Sequence, residues 1–386
     1  MKPLLKVIAV WACLFLILAR PLAAAVDLTP ILREEMSGVP TDPVQEYVNK
    51  LDQNIQNLLP HWDPEGWAKN GLGFGLADLI KGLLRIAVKE VFLNFKLLGQ
   101  VIVLAAICAI LHRLQTAWLS ENVTDLAYSI TYLVVIGLAI GSFVTTLNLA
   151  KSMLETASGF LYALLPALMP LFVAAGGVTT ATVMHPLMVA GIGLIVQIVK
   201  DYMLPLAYLS GAISLVGHLA EGFSLSRLSG LIRQVVISGL GLLMSIFLGI
   251  VTIQGLTASV ADGVSLRAAK YVTGNFVPVV GGTLSDSMEL AAGCSLLLKN
   301  GIGSFGAVVV LLICMVPMLK ILAISLIYRF ASAIVQPLGN ERLSSALQDI
   351  ANTFTLVFGA MAIVSLMFFI GLAIVVGIVA SPGGMR

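Results

Sequence analysis

Asp286 and Glu289 stand three residues apart in "NFVPVVGGTLSDSMELAAGCSLLLKNGIG", residues 275–303, a polar insert between two strongly apolar runs. On a helix that spacing puts both carboxylates on one face, where they could meet a cation, a proton or a basic partner. A second use competes with the first. Ser285 or Asp286 is a good N-cap for a helix through Leu298, with Glu289 in the reciprocal place of a capping box. Pro278, Gly281 and Gly282 precede the pair, and Gly301, Ile302 and Gly303 close the stretch. Glycine reaches backbone conformations that other residues resist, and the apolar pieces 276–280 and 290–298 are each too short to cross a bilayer. The insert therefore reads as a re-entrant hairpin, and non-helical backbone at membrane depth must be buried in protein or line a water-filled cavity. The expectation is a pore-lining or partner-contacting segment built on Pro278, Gly281, Gly282, Asp286 and Glu289.

No other pattern in the chain carries chemistry. The sequence holds no G-x-x-x-x-G-K-[ST], so nucleotide hydrolysis would have to come from another protein. It holds no H-E-x-x-H, and His61, His112, His185 and His218 have no metal-ligand spacing. A G-x-S-x-G nucleophile elbow is also missing. Of the four cysteines, Cys13 falls in the N-terminal leader and Cys108, Cys294 and Cys314 lie far apart, which supports no disulfide framework or CxxC site. They read as small buried hydrophobes. The expectation is a protein that is not an enzyme, with no catalytic residue, cofactor or metal.

The elements that must position the insert follow from composition. The 386 residues are 59% hydrophobic and 11% charged, against about 45–50% and 25% in an average soluble domain. So much apolar surface points to an all-α polytopic membrane protein. A net charge of +2, with 22 scattered Lys and Arg and no nucleic-acid motif, argues against a nucleic-acid partner.

Lys2 and Lys6, an apolar stretch over 7–19 and Ala23, Ala24 and Ala25 read as a signal peptide, residues 1–25, cleaved to leave the N-terminus outside the cytoplasm. An uncleaved first anchor is the alternative. Residues 26–75 form a small, proline-broken extracytoplasmic segment, with Asp42 as N-cap, Pro43 at the first helical position, and Val44, Tyr47, Val48, Leu51, Ile55 and Leu58 at helical spacing. Residues 76–96 form an amphipathic helix. Leu79, Ile80, Leu83, Ala87, Val88, Val91 and Phe95 face one way, and Asp78, Lys81, Arg85, Lys89 and Lys96 face the other. Such a helix lies among lipid headgroups or packs against protein.

Eight spans are expected at about 97–111, 126–147, 157–177, 181–199, 202–220, 235–256, 305–328 and 354–380. They divide into a first part of the bundle, 97–256, the insert, 257–304, and two last spans within 305–386. Lys200 and Asp201 mark either a hairpin between two spans or a charge pair in a broken one. Gly137 and Gly141 form a G-x-x-x-G pair for close helix packing. Residues 336–350, "QPLGNERLSSALQDI", read as a surface helix with Leu343, Ala346, Leu347 and Ile350 on one side and Arg342, Ser345 and Asp349 on the other. Five arginines near cytoplasmic connections are balanced by Lys151, Lys200, Arg267, Lys270 and Lys299 outside, so loop charge does not set the orientation and the signal peptide does.

This order of parts, with "DLIKGLLRIAVKEVFLNFKLLGQVIVLAAICAIL", "AAKYVTGNFVPVVGGTLSDSMELAAGCSLLLKNGIG" and "QPLGNERLSSALQDI", resembles the stage III sporulation protein AE family of endospore-forming bacteria. The resemblance implies a multi-pass protein in the mother-cell membrane that surrounds the forespore. It implies work with other proteins of the same operon, among them a separate ATPase and a ring-forming protein. The implied assembly is a secretion-like channel, or feeding tube, that sustains forespore development and late forespore transcription. The family brings no active-site residues to transfer.

Overall fold

The computed structural model describes residues 36, 38–64, 66–67, 76–118, 121–219, 225–276, 281–338 and 341–377, with backbone alone at 76, 105, 108–118, 121–129, 131, 219, 256, 258–259, 265–276, 281–292 and 338. The expected signal peptide and Pro278 lie outside the described residues. No strand occurs among those described.

The N-terminal segment is held by two short helices. Pro43 opens α1 (Asp42–Asn49), but its N-cap is Thr41, one residue before the expected Asp42, which sits in the acidic first turn. The chain breaks at Asp52, whose carboxylate accepts from the Asn54 backbone N–H at 2.8 Å and so caps α2 (Gln53–Gln56). Val44, Leu51 and Ile55 are buried as the helical spacing requires. Trp62 and Trp67 clasp Phe305, the Trp67 ring stacked on it at 4.5 Å and the Trp62 ring edge-on at 5.1 Å.

Helix α3 (Leu76–Leu93) buries Leu79 and leaves Ile80, Leu84, Val88 and Phe92 exposed at four-residue spacing, flanked by exposed Lys81, Arg85 and Lys89. Its polar residue Glu90 turns inward, 3.8 Å from Lys320. Asn94 marks the break before α4 (Phe95–Trp118).

From there the structure departs from eight separate spans. Two of the expected spans run together in α5 (Glu121–Ala174), 54 residues with Pro166 and Pro170 inside. Two more join through α6 (Val178–Ile198), a π-helical turn at Val199–Met203 and α7 (Leu204–Leu219). Pro205 has no N–H for the carbonyl one turn back, and the wider π turn absorbs that lost bond, so no hairpin forms at Lys200 and Asp201. Helices α8 (Ser226–Phe276), α9 (Gly281–Val335) and α10 (Glu341–Gly377) complete the chain. Five stretches of 37–43 residues are long and apolar enough to cross a membrane among the described residues. At 1.5 Å per residue they run about 55–65 Å, twice the roughly 30 Å of a hydrocarbon core.

Helix α9 is the centre of the bundle and packs on α10, α5, α3 and α4. It forms an antiparallel hairpin with α10 through a 3-10 turn at Gln336–Leu338. The expected surface helix at 336–350 is therefore the turn and the start of α10, and Leu343, Ala346, Leu347 and Ile350, expected to share one side, are all buried. Nor does the backbone turn at Gly301 or Gly303. A Cβ at Gly303 would stand 2.4 Å from Val376 of α10, and one at Gly306 the same distance from Leu164 of α5. These glycines let helices approach each other and do not end one.

Candidate functional site

The acidic insert divides between two helices. Asn275 and Phe276 end α8, and Gly281 and Gly282 are the first residues of α9, which runs unbroken past Gly303. Because α9 starts before Ser285, neither Ser285 nor Asp286 caps it, and the re-entrant hairpin gives way to a continuous helix. Asp286 and Glu289 keep their three-residue spacing on that helix and so share a face.

Gly137 and Gly141 have a different place from the one expected. Both are exposed, and a Cβ on either would meet nothing within 4 Å. The buried side of α5 here is Tyr132, Val135, Ala139, Ser142 and Thr146, and the glycines lie on the opposite side. They pack against no helix among the described residues.

Ionisable groups inside the helices pair with one another instead. Lys200, in the π turn, donates to the Glu155 carboxylate of α5. The two charged points that divide the apolar stretches of α5 and of α6 with α7 thus answer each other. Between α7 and α10, Asp349 accepts from the Ser214 hydroxyl and lies 3.0 Å from His218 Nε2. Arg233 of α8 adds its charge, while its Nε has no hydrogen-bond partner. Serine and histidine meet the same carboxylate oxygen, so this cluster lacks the serine-to-histidine bond that activates a nucleophile. Among the described residues no three His, Cys, Asp or Glu come together as a metal site.

Two further polar arrangements join helices across the core. Tyr208 of α7 donates to Thr146 at 2.9 Å, Thr146 donates to the Ser142 carbonyl at 2.7 Å, and the Ser142 hydroxyl lies 2.8 Å from the Tyr328 hydroxyl of α9. The second is at the start of α6. Helix α5 ends in a Schellman motif, Gly176 taking φ 85° and Gly177 N–H donating to the Phe172 carbonyl at 2.7 Å. Gly177 is then the N-cap of α6 and has no side chain to offer. Asp262, from α8, supplies the cap. Its two oxygens accept from the backbone N–H groups of Thr179 and Thr180 at 2.7 and 2.9 Å.

Lys299 stands apart from all of these. Counted from sequence as an outside loop charge, it lies within α9, fully buried, its Nζ without a hydrogen-bond partner and 4.8 Å from the centre of the Phe172 ring. Sequence reasoning missed Lys299, Asp262 and the pairing of Asp349 with His218. The one available signal was an ionisable residue in an otherwise apolar stretch.

A cavity of about 370 Å³ opens where the N-terminal segment meets α5 and α9, lined by Tyr47, Lys50, Asp52, Thr156, Pro317 and Lys320 among others. Tyr47 donates to the Thr156 carbonyl at 3.0 Å, and burial pushes its hydroxyl above the ordinary phenol value of 10.0. Lys50 lies 2.5 Å from Glu46, and that hydrogen bond and charge hold Glu46 below the usual carboxylate range.

Long apolar helices around a buried central helix define the class as an α-helical membrane protein. The chain belongs to the stage III sporulation protein AE family, whose sequence profile matches residues 65–379. It is 35% identical over 343 residues to Stage III sporulation protein AE of Bacillus subtilis (strain 168), covering 88% of this chain and 86% of that protein. No solved structure matches.

Proposed function

We propose that this protein is a non-enzymatic component of a secretion-like channel between mother cell and forespore, needed for forespore development and late forespore gene expression. The observation that carries this reading is membership of the sporulation family over most of the chain. The protein works in the mother-cell membrane around the forespore, beside other proteins of its operon. The absence of a nucleotide-binding motif fits a division of labour with a separate ATPase, and the N-terminal segment on the bundle offers a surface to a ring-forming partner.

A cleaved signal peptide, residues 1–25, sends that segment out of the cytoplasm, and the five long apolar stretches follow as spans. The stripe of Ile80, Leu84, Val88 and Phe92 with its basic flanks supports contact of α3 with lipid headgroups. Residues 275–303 line or gate the path, with Asp286 and Glu289 on one face of α9.

The test is a late forespore transcription reporter in a sporulating host, comparing deletion, restoration and the double variant Asp286→Asn with Glu289→Gln. Loss of signal on deletion and in the double variant, at normal protein level, supports the reading. An unaffected reporter after deletion removes it. Ionisable groups in apolar helices, the buried Lys299 and the half-buried pair of His218 with Asp349, favour a second reading as a secondary transporter of a small solute or ion. Solute flux by the purified protein alone, without partners, would put the transporter first.

A further inference from the structure

Two charged side chains are buried among the described residues, Asp262 at 8% exposure and Lys299 at 0%. The two are treated very differently. Asp262 has both oxygens satisfied by the N-terminus of α6. Lys299 Nζ carries three donors and uses none of them among the described residues. The Phe172 ring face attracts its charge. So does the carbonyl end of α5, which stops at Ala174. Neither closes an N–H bond. The last-turn carbonyls are already engaged, Phe172 O by the Gly177 N–H at 2.7 Å and Val173 O by the Gly176 N–H at 2.9 Å.

A buried ammonium without an acceptor is among the most costly groups a bundle can hold, and a well-packed apolar side chain in its place is commonly more stable. Leu298 and Ile302, beside it on α9, show how the core is otherwise filled. Packing does not call for an amine at this position. An acceptor does, and none of the described residues supplies it.

We propose that Lys299 is the binding site for a small monovalent anion, a carboxylate or a halide, admitted between α9 and the last turns of α5. Pro166 and Pro170 lie just before Phe172 and remove two rungs of the α5 ladder, so this end of the helix moves at less cost than an intact one. The inference rests on the channel reading in one respect. Lys299 belongs to the 275–303 stretch assigned to the path, and the solute class of that path is then anionic.

The test uses the purified full chain in detergent and follows thermal unfolding as sodium acetate, or sodium chloride, replaces sodium sulfate at fixed ionic strength. Comparing wild type with Lys299→Met cancels general salt effects. Wild type is expected to gain about 5 °C at a hundredfold excess of anion over its dissociation constant, while Lys299→Met gains nothing. Lys299→Met should also be the more stable protein without the anion, yet fail to restore the forespore reporter at normal protein level. Equal anion responses in the two proteins, no response in either, or a Lys299→Met protein less stable than wild type would each overturn the proposal. A Lys299-dependent shift in a protein whose deletion leaves the reporter unchanged would support the anion site and remove the channel reading.

Discussion

Replacing Asp262 by alanine deprives the N-terminus of α6 of the one side-chain cap it has among the described residues, because Gly177 has no side chain to substitute for it. The size of the effect follows from the burial of the two donors. The Thr180 N–H is buried and loses its acceptor outright, whereas Thr179 is half-buried and water recovers part of its bond. An unsatisfied buried donor costs about 1–3 kcal/mol and a bond to a charged acceptor is worth about 1.5–3 kcal/mol. Release of the carboxylate from its own desolvation offsets some of this, leaving a net loss of about 2–4 kcal/mol. Asp262→Asn keeps one acceptor and turns an amide toward the other N–H, so its loss should be smaller but of the same sign.

Reversible unfolding in mixed detergent micelles, followed by tryptophan fluorescence, measures both variants, with Asp201→Asn as an exposed control. The order alanine, asparagine, control is the expected outcome. An Asp262→Ala protein within about 0.5 kcal/mol of wild type, the range of ordinary surface changes, would refute a cap supplied from α8.

Tyr328→Phe and Tyr208→Phe should each cost about 1 kcal/mol, and their double variant should show coupling in the same unfolding assay, because Ser142 and Thr146 link the two hydroxyls across α5. Gly306→Leu should lose about 1–3 kcal/mol by driving a side chain into Leu164. Gly137→Leu and Gly141→Leu, with open space at both positions, should leave the isolated chain within about 0.5 kcal/mol of wild type. Docking of the N-terminal segment should weaken as pH rises past 10.0, the ordinary phenol value. Burial raises the folded Tyr47 above it, so the unfolded segment releases its proton first and the stabilisation present below that pH is lost. The fluorescence of Trp62 and Trp67 reports the change, and Tyr47→Phe should abolish this part of it.

Composition, with long apolar runs, pointed to a helical membrane protein, because so high a fraction of apolar side chains exceeds what one soluble core hides. Local spacing also placed the buried face at 343–350 and the proline-led start of α1. Period and chain stereochemistry act within a few residues, so they are legible without a fold. The sequence misled where a local signal had a distant answer. Charges at Lys200 and Asp201 left a hairpin and a charge pair in a broken span both open, and the chain instead continues through a π turn where Lys200 meets Glu155, 45 positions earlier. Gly301 and Gly303 read as a turn, yet Gly303 sits in an unbroken helix because Val376 fills the space of its missing side chain. Gly137 and Gly141 carry a packing motif whose outward direction is set only by which side of α5 the other helices cover. Asp262 and Lys299 look alike as single charges in apolar runs. Only the tertiary structure separates them, bringing a helix N-terminus to one and leaving the other without an acceptor among the described residues, since solvation in a bundle depends on neighbours far away in the chain.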